Sequence, residues 1–327
     1  MYKRQVVVPV YNVEKYITRC LDSLIGQTLY DIEIVVVDDC SPDNSMGIVE
    51  QYAQKDSRFT LVYNEKNMGL MWTRQVGYRN AKGDYIVFCD SDDYMPFNAL
   101  ELLYTAVTST GADIVASAWV RRCPWGDTTV SYKLSYGTDA TAVYESLLKK
   151  EFAHSLCAKI FSAKLFRDYK YTTFPHQTNG EDAILFYQII EQVRHVEVIK
   201  ESTYYYVFNG ESSTMRIDNR KLKQIVFQMQ YIYKLLKPHE EINSVLVATT
   251  IEDRARLWKY GKISLHELFA EEELLKALSW CTLQESFSCI RALHIYILVH
   301  VTPYRSLYKL KYELKSWLVS KMYPLHL

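Results

Sequence analysis

The sequence lacks the short motifs that mark several large classes of enzymes. None of GxxxxGK[ST], GxGxxG, HExxH or GxSxG occurs among its 327 residues. Neither a P-loop for ATP nor a Rossmann loop for a dinucleotide is therefore indicated. The 38 Lys and Arg residues equal the 38 Asp and Glu residues, and this balance does not point to nucleic acid as a partner.

Cysteine pairs with the spacing of metal ligands are also absent. No CxxC occurs and the number of cysteines is odd, with the seven at Cys20, Cys40, Cys89, Cys123, Cys157, Cys281 and Cys289. Several of them lie inside apolar runs. We therefore expect buried free thiols in a reducing cytoplasm.

Long hydrophobic runs are missing as well. The longest, residues 292–301, contains two histidines and has about half of the ~20 residues that a membrane-spanning helix needs. The first residues, MYKRQVVVPVYN, are basic but enter a short strand-like run and not the apolar core of a signal peptide. We expect a protein that is neither secreted nor membrane-spanning.

What the sequence does contain is an alternation of strand and helix signals over its first 120 residues. Short Val/Ile-rich runs at 6–10, 32–39, 59–64, 84–90 and 112–119 are separated by helical patterns near 13–27, 43–55, 69–81 and 97–109. This pattern predicts an α/β fold, doubly wound around a mainly parallel sheet. Further strands are expected at 128–136 and 195–199, helices near 139–149 and 181–193, and mostly helix from about 217 onward.

Polar residues follow three of the predicted strands. Tyr11 follows the first, Asp39 closes the second, and the fourth ends in DSDD, which supplies Asp90, Asp92 and Asp93. Ligands of doubly wound sheets bind beyond the carboxyl ends of the strands. Such residues also cap helices and punctuate turns, but all three together indicate a site. Clustered carboxylates suit Mg²⁺ or Mn²⁺ shared with substrate phosphates.

Five blocks of sequence, in order, carry a more specific signal. They are PVYN (9–12), SLIGQT (23–28), IEIVVVDDCSPDNS (32–45), NMGLMWTRQVGYRNAKGDYIVFCDSDD (67–93) and GED (180–182). Together they resemble the family 2 inverting glycosyltransferases, over roughly residues 4–215. The resemblance implies a GT-A (nucleotide-diphospho-sugar transferase) catalytic domain at 1–215, followed by a helical extension at 216–327.

The resemblance also implies a set of nucleotide-binding residues. Pro9 and Tyr11 belong to the first block, and the Tyr11 ring is expected to stack on the base. Asp39 would accept a hydrogen bond from the imide N–H of uracil, which rejects cytosine. Arg74 would lie near the nucleotide, where a guanidinium suits phosphate or base oxygens. The family usually has Asn after this arginine, whereas this chain has Gln75.

The same resemblance assigns the acids. Asp90 is expected near the ribose and the metal, and Asp92 would bind Mn²⁺ or Mg²⁺, which neutralises the departing diphosphate. Asp182 would be the general base, and Glu181 is a candidate for the acceptor or donor side. Acids at a helix start also serve capping and the helix dipole. Asp93 would either reach the sugar or cap the helix near residue 97, and capping is slightly favoured.

Three features on the acceptor side stay open. His154, in the segment 153–166, would touch the sugar or the metal or, as we favour, be a hydrogen-bonded structural histidine. The Ser/Thr residues at 212–214 are candidates for a loop that closes over the diphosphate. A basic amphipathic helix over 303–324 would bind the inner face of the cell membrane, or else dock on the catalytic domain or a second subunit.

These observations predict a metal-dependent inverting glycosyltransferase of bacterial surface-polysaccharide synthesis. It would transfer a sugar from a UDP-sugar to a saccharide or lipid-linked oligosaccharide, in the cytoplasm. One alternative is a phosphotransferase of the haloacid dehalogenase type, which needs Thr where this chain has Tyr94 and leaves Asp39 and Asp182 without a role. The other is a nucleotide-binding scaffold that has lost catalysis.

Overall fold

The computed structural model describes residues 4–134, 137–209, 219–242, 245–246 and 249–250. The chain divides into two compact units, Met1–Ile232 and Tyr233–Leu327, and the sheet belongs to the first. The predicted loop at 212–214 and the predicted basic helix over 303–324 lie outside the described residues. The domain boundary predicted after residue 215 falls there too and stays a prediction.

Eight strands and eight α-helices are described. The strands are β1 (Arg4–Val10), β2 (Ile32–Asp38), β3 (Phe59–Tyr63), β4 (Tyr85–Phe88), β5 (Ile114–Cys123), β6 (Gly126–Val130), β7 (Lys159–Ser162) and β8 (Val196–Val207). The helices are α1 (Ile17–Ile25), α2 (Ser45–Ala53), α3 (Leu70–Asn80), α4 (Ala99–Thr110), α5 (Ala140–Leu148), α6 (Lys164–Arg167), α7 (Glu181–Ile190) and α8 (Asn219–Leu236). None of the described helices has both the length and the apolar character needed to cross a membrane.

All eight strands form one mixed sheet in the order β3-β2-β1-β4-β7-β5-β6, with β8 paired to β5. The pairs β1–β2, β1–β4, β2–β3 and β5–β8 are parallel. Only β7 and β6 run against their neighbours. The mainly parallel α/β sheet predicted from the alternation is thus confirmed.

The apolar runs of the first strands form the core of the sheet. Every residue of β1 from Val6 to Val8 and every residue of β2 from Ile34 to Val37 is fully buried, which is the expected environment of central parallel strands. Helix α1 buries Ile17, Cys20, Leu21 and Leu24, a stripe with helical spacing. Because both faces of these strands are buried, their sequences are continuous runs of Val and Ile and do not alternate between apolar and polar residues.

The strand order decides where the polar residues go. Because β2, β1 and β4 are parallel neighbours, their carboxyl ends lie at one edge of the sheet. That edge carries Tyr11 after β1, Asp39 after β2 and Asp90 after β4. The single rim predicted for these residues is therefore present, and it positions the site.

Candidate active site

The turn after β4 gives two of its carboxylates distinct partners within the site. Asp90 Oδ1 accepts from Arg74 Nη2 at 2.7 Å, and Asp90 Oδ2 accepts from the Cys157 thiol at 3.2 Å. Asp92 Oδ2 accepts from the Asn209 amide at 2.8 Å. Both acids are half-buried. Asp90 is thus held from two sides by the protein, whereas Asp92 receives only a neutral amide.

Asp93 forms two hydrogen bonds to β8. Its Oδ2 accepts from the Tyr204 hydroxyl at 2.8 Å and its Oδ1 accepts from the Val207 N–H at 2.8 Å. Tyr204 in turn accepts from the Asp90 N–H at 3.1 Å. The residue preceding α4 is Asn98, so the prediction that Asp93 caps this helix is wrong. Its buried carboxylate instead fixes the acidic turn against β8.

Arg74 lies between the acidic turn and the start of α7, and it is only 1% exposed. Its Nη2 contacts Asp90, while its Nη1 donates to Asp182 and lies 3.4 Å from Glu181 Oε1. One guanidinium therefore joins the acid expected near the metal to the acid expected to be the base. The contact with the nucleotide predicted for Arg74 stays a prediction, since its partners here are carboxylates.

Helix α7 begins with the two acids of the GED block. Gly180 precedes it with φ +76°, a left-handed backbone that favours glycine, and the helix N-terminus favours carboxylates. Burial raises the pKa of Asp182, and the Arg74 guanidinium opposes that rise. Burial, reinforced by Asp182, raises the pKa of Glu181 to about 7. Arg74 opposes the rise in both pKa values, and Asp182 is the closer of its two partners on this helix.

The residues assigned to the nucleotide lie at the β1 and β2 end of the rim. Pro9 is buried inside β1, while Tyr11, just past the strand end, is 48% exposed and has a ring available for stacking. Asp39 is 3% exposed, and its N–H donates to the Val10 carbonyl at 2.9 Å. The roles predicted for these three residues stay predictions.

The Asp39 carboxylate holds the loop that leads into α3. It accepts from the Asn64 amide at 2.9 Å and from the N–H groups of Met68 and Gly69 at 2.9 and 2.8 Å. Gly69 has φ +90°, and a Cβ there would lie 3.2 Å from the His176 Cα, so only glycine fits this position well. Asp39 therefore organises the loop before α3, a role that the sequence did not suggest.

The acidic turn has the donor set of a divalent-cation site. Among the described residues Asp92 forms no ion pair, and burial, with Asp90 beside it, raises its pKa to about 6. Carboxylate oxygens suit Mg²⁺ or Mn²⁺. No three described His, Cys, Asp or Glu side chains are grouped to hold a metal. Asp90 and Asp92 would therefore supply one or two ligands, and phosphate and water the others.

His154 lies in the loop before β7, where it is exposed. No hydrogen bond to another described residue involves it, and desolvation of the imidazole, with the charge of Lys159, lowers its pKa to about 4. Both interpretations, a structural histidine and a contact with the sugar or the metal, stay predictions.

Four residues that the sequence analysis did not assign to the site contact the acidic turn. Cys157 contacts Asp90, Tyr204 joins the backbone of Asp90 to Asp93, and Asn209 contacts Asp92. Arg19 donates to the carbonyl oxygen of Asp92 at 2.7 Å. No motif marks these residues, and the only signal was the general match of the segments around 153–166 and 204–215 to the family.

Comparisons with known proteins agree with this fold. The profile of the family described as "Glycosyl transferase family 2" matches residues 5–172. Glycosyltransferase GlyA of Streptococcus pneumoniae is 34% identical over 218 residues, which are 62% of this chain and 30% of GlyA. This chain matches about a third of the length of the curated relatives it aligns with.

Solved structures share the architecture. Residues 1–349 of S. aureus TarS, in complex with UDP-GlcNAc, superpose with a TM-score of 0.68 at 21% identity, covering 94% of this chain and 89% of that one. The mannosyltransferase PcManGT of Pyrobaculum calidifontis, in complex with GDP-Man and Mn²⁺, gives 0.54 at 18% identity, covering 91% and 86%. The predicted GT-A fold is confirmed. With the profile matching half of its length, the chain belongs to glycosyl transferase family 2.

Proposed function

We propose that this chain is a metal-dependent inverting glycosyltransferase that uses a UDP-sugar. The observation that carries the proposal is the position of Arg74, which contacts Asp90 and Asp182 through one guanidinium. A diphosphate-binding acid and a candidate base are thereby held on either side of a single planar group. That arrangement suits a displacement in which the nucleophile and the leaving group occupy opposite faces of the sugar.

In the proposed reaction the acceptor hydroxyl gives its proton to the Asp182 carboxylate. The hydroxyl oxygen forms a bond to the anomeric carbon as the bond from that carbon to the β-phosphate oxygen breaks, and the nucleoside diphosphate leaves. One such displacement inverts the anomeric centre, so an α-linked donor yields a β-glycoside. A bound Mn²⁺ or Mg²⁺ would supply Lewis-acid stabilisation of the leaving diphosphate.

The residues of this chain are suited to the other requirements. Asp182 must be ionised to accept a proton, and Arg74 opposes the rise in its pKa that burial causes. The oxygens of Asp90 and Asp92 suit the cation. Tyr11 offers an exposed ring for the base. The UDP-GlcNAc complex of TarS and the Mn²⁺ complex of PcManGT support a nucleotide-sugar donor and a divalent metal.

The remaining assignments rest on the family alone. We propose a saccharide or lipid-linked oligosaccharide acceptor in surface-polysaccharide synthesis, a cytoplasmic location with peripheral membrane contact through the C-terminal basic helix, and a catalytic domain over 1–215 followed by a helical extension. The haloacid dehalogenase alternative is disfavoured, because Tyr94 occupies the position of its Thr and stacks on Tyr205 with the ring centroids 4.6 Å apart.

The first prediction tests the base. Asp182→Asn keeps the size of the side chain but cannot accept a proton, so transfer should fall by roughly 10²-fold or more, while the affinity for UDP with Mn²⁺ should change little. Transfer is measured as UDP release from a panel of UDP-sugars, with and without saccharide acceptors. The affinity for UDP is measured by titration in the presence of Mn²⁺. Asp168→Asn, an exposed acid after α6, is the control. Normal transfer by Asp182→Asn would rule out this base.

A further inference from the structure

Lys159, the first residue of β7, is a fully buried lysine with 0% exposure. Its Nζ donates to the Ser155 carbonyl at 2.7 Å and lies 3.4 Å from the Tyr132 hydroxyl. None of the ion pairs among the described residues includes it. A lysine without a carboxylate partner in the interior is rare and needs an explanation.

Three aromatic rings surround this ammonium group. The centroids of Tyr132, Phe152 and Phe186 lie 4.6, 5.2 and 5.3 Å from Nζ. Cation–π contacts of this kind recover only part of the hydration that an ammonium group loses when it leaves water. Burial accordingly lowers the pKa of Lys159 to about 7. A methionine would fill the same space without that cost, so the amine itself is the feature to explain.

The loop that Lys159 contacts reaches both acids joined by Arg74. One residue after Ser155, the backbone N–H of Leu156 opposes the rise in the pKa of the Asp182 carboxyl. One residue further, the Cys157 thiol donates to Asp90 Oδ2 at 3.2 Å. The loop 152–158 therefore donates a hydrogen bond to the candidate metal ligand and brings a backbone N–H toward the candidate base.

The end of this loop is held in an unfavourable backbone conformation. Ala158 has φ +57°, a left-handed conformation that is unfavourable for a residue with a side chain. Such a conformation persists only where neighbouring contacts fix it. Ala158 O accepts from Ser117 N at 3.0 Å and from Ser117 Oγ at 3.2 Å, and Lys159 fixes the other side through Ser155. Phe186, on the same helix as Asp182 and one turn later, joins α7 to this cluster.

We propose that Lys159 is a positioning residue: its buried amine fixes the loop 152–158 so that Leu156 and Cys157 orient Asp182 and Asp90. The effect of Lys159 on catalysis rests on the proposed function. Its role in fixing the loop 152–158 does not. Lys159 touches neither substrate nor metal in this account. Its contact with the loop passes through the Ser155 carbonyl to the two residues that follow it, and its charge also opposes the rise in the pKa of Asp182.

The test is Lys159→Met, which fills the cage and removes the amine, compared with Lys164→Met, an exposed lysine on α6. Amide hydrogen exchange is followed by NMR. We expect the Leu156 amide to exchange at least tenfold faster in Lys159→Met, with the amides of β4 unchanged and no change in Lys164→Met. Unchanged protection of Leu156 overturns the proposal, and this result does not depend on activity.

Enzyme kinetics then show whether Lys159 positions the site or only stabilises the fold. With a UDP-sugar that the wild type hydrolyses, Lys159→Met should lower kcat at least tenfold and leave the donor KM within about twofold. A wild-type kcat also overturns the proposal. If Lys159→Met does not fold, Phe152→Leu removes one ring of the cage and should produce a smaller effect of the same kind. Absence of hydrolysis by the wild type counts against the proposed function, while the exchange result still decides the role of Lys159.

Discussion

At the scale of single residues, the acids of the rim differ chiefly in what compensates their charge. Asp90 has Arg74 at 2.7 Å, and Asp182 has the same guanidinium. Asp92 has no ion pair among the described residues, and Asp93 is satisfied by a hydroxyl and an N–H. Asp90 and Asp182 are thus held by direct ion pairs with Arg74. Asp92 is compensated only by the Asn209 amide, its own backbone N–H and the more distant charge of Arg19.

The second prediction concerns the shape of the Arg74 side chain. Lysine at this position keeps the positive charge but has one nitrogen, so it cannot contact Asp90 and Asp182 together as the guanidinium fork does. Arg74→Lys should lower the rate of UDP release from a UDP-sugar by roughly tenfold or more. Arg79→Lys, on the same helix but exposed, should leave the rate unchanged. Equal rates for the two variants would show that the fork is dispensable.

Sequence reasoning found the residues that carry a motif and missed those that support them. Asp90, Asp92 and Asp182 stand at strand and helix ends inside recognisable blocks, so their convergence followed from the parallel order. Cys157, which binds Asp90 from 67 residues away, belongs to a different element. A single thiol or amide has no pattern of its own, and its position follows only from the packed structure.

At the scale of elements, helix α3 sets the position of Arg74 through a close contact with the sheet. Gly77 follows Arg74 by three residues and faces Val7 of β1 so closely that a Cβ would overlap the Val7 side chain. Val7 is fully buried and has little room to move. The missing side chain therefore fixes the height of α3 over the sheet and, with it, the height of the guanidinium.

The third prediction follows from this contact. Gly77→Ala should lower the free energy of unfolding by about 1–3 kcal/mol, as overpacking does, and Val7→Ala should partly restore it in the double variant. Chemical denaturation measures both. Gly47→Ala in α2 is the matched helix control, because its Cβ would meet only the exposed Asn44 side chain. It should be neutral or stabilising by up to about 1 kcal/mol.

Elements were predicted well where hydrophobic runs were long and poorly where they were short. β1 and β2 were predicted because continuous burial gives continuous Val and Ile. β7 has only four residues, Lys159–Ser162, and was missed because the surrounding segment was assigned to the acceptor side. β8 was expected to end at residue 199, yet it continues to Val207 with shifts in register against β5.

At the scale of the whole molecule, the buried acids make stability depend on pH. Burial raises the pKa values of Asp92, Asp93, Glu181 and Asp182. Groups with raised pKa values bind more protons in the folded than in the unfolded state. Their contribution to stability is therefore present at low pH and is lost as pH rises through the folded values, about 6 for Asp92 and about 7 for Glu181.

The fourth prediction uses this dependence. If Asp92 is a metal ligand as proposed, it must be ionised to bind Mn²⁺ with UDP. The rise in Tm that Mn²⁺ and UDP cause should then be larger at pH 7.5 than at pH 5, where protons compete. Differential scanning fluorimetry at the two pH values measures it. Asp92→Asn should abolish most of the metal-dependent increment at both. An increment in the wild type that is equal at pH 5 and pH 7.5 would contradict the assignment of Asp92 as a ligand.

The long separations between partners in the site have a consequence for biosynthesis. Asp182 lies 108 residues after Arg74, and Asn209 lies 117 residues after Asp92. A nascent chain that has left the ribosome up to residue 150 contains β1 to β4 and the whole acidic turn, but neither Asp182 nor β7, the strand that pairs with the free edge of β4. Until those residues emerge, an open strand edge and unpaired acids coexist, so catalytic competence and protection against aggregation arise together, late in synthesis.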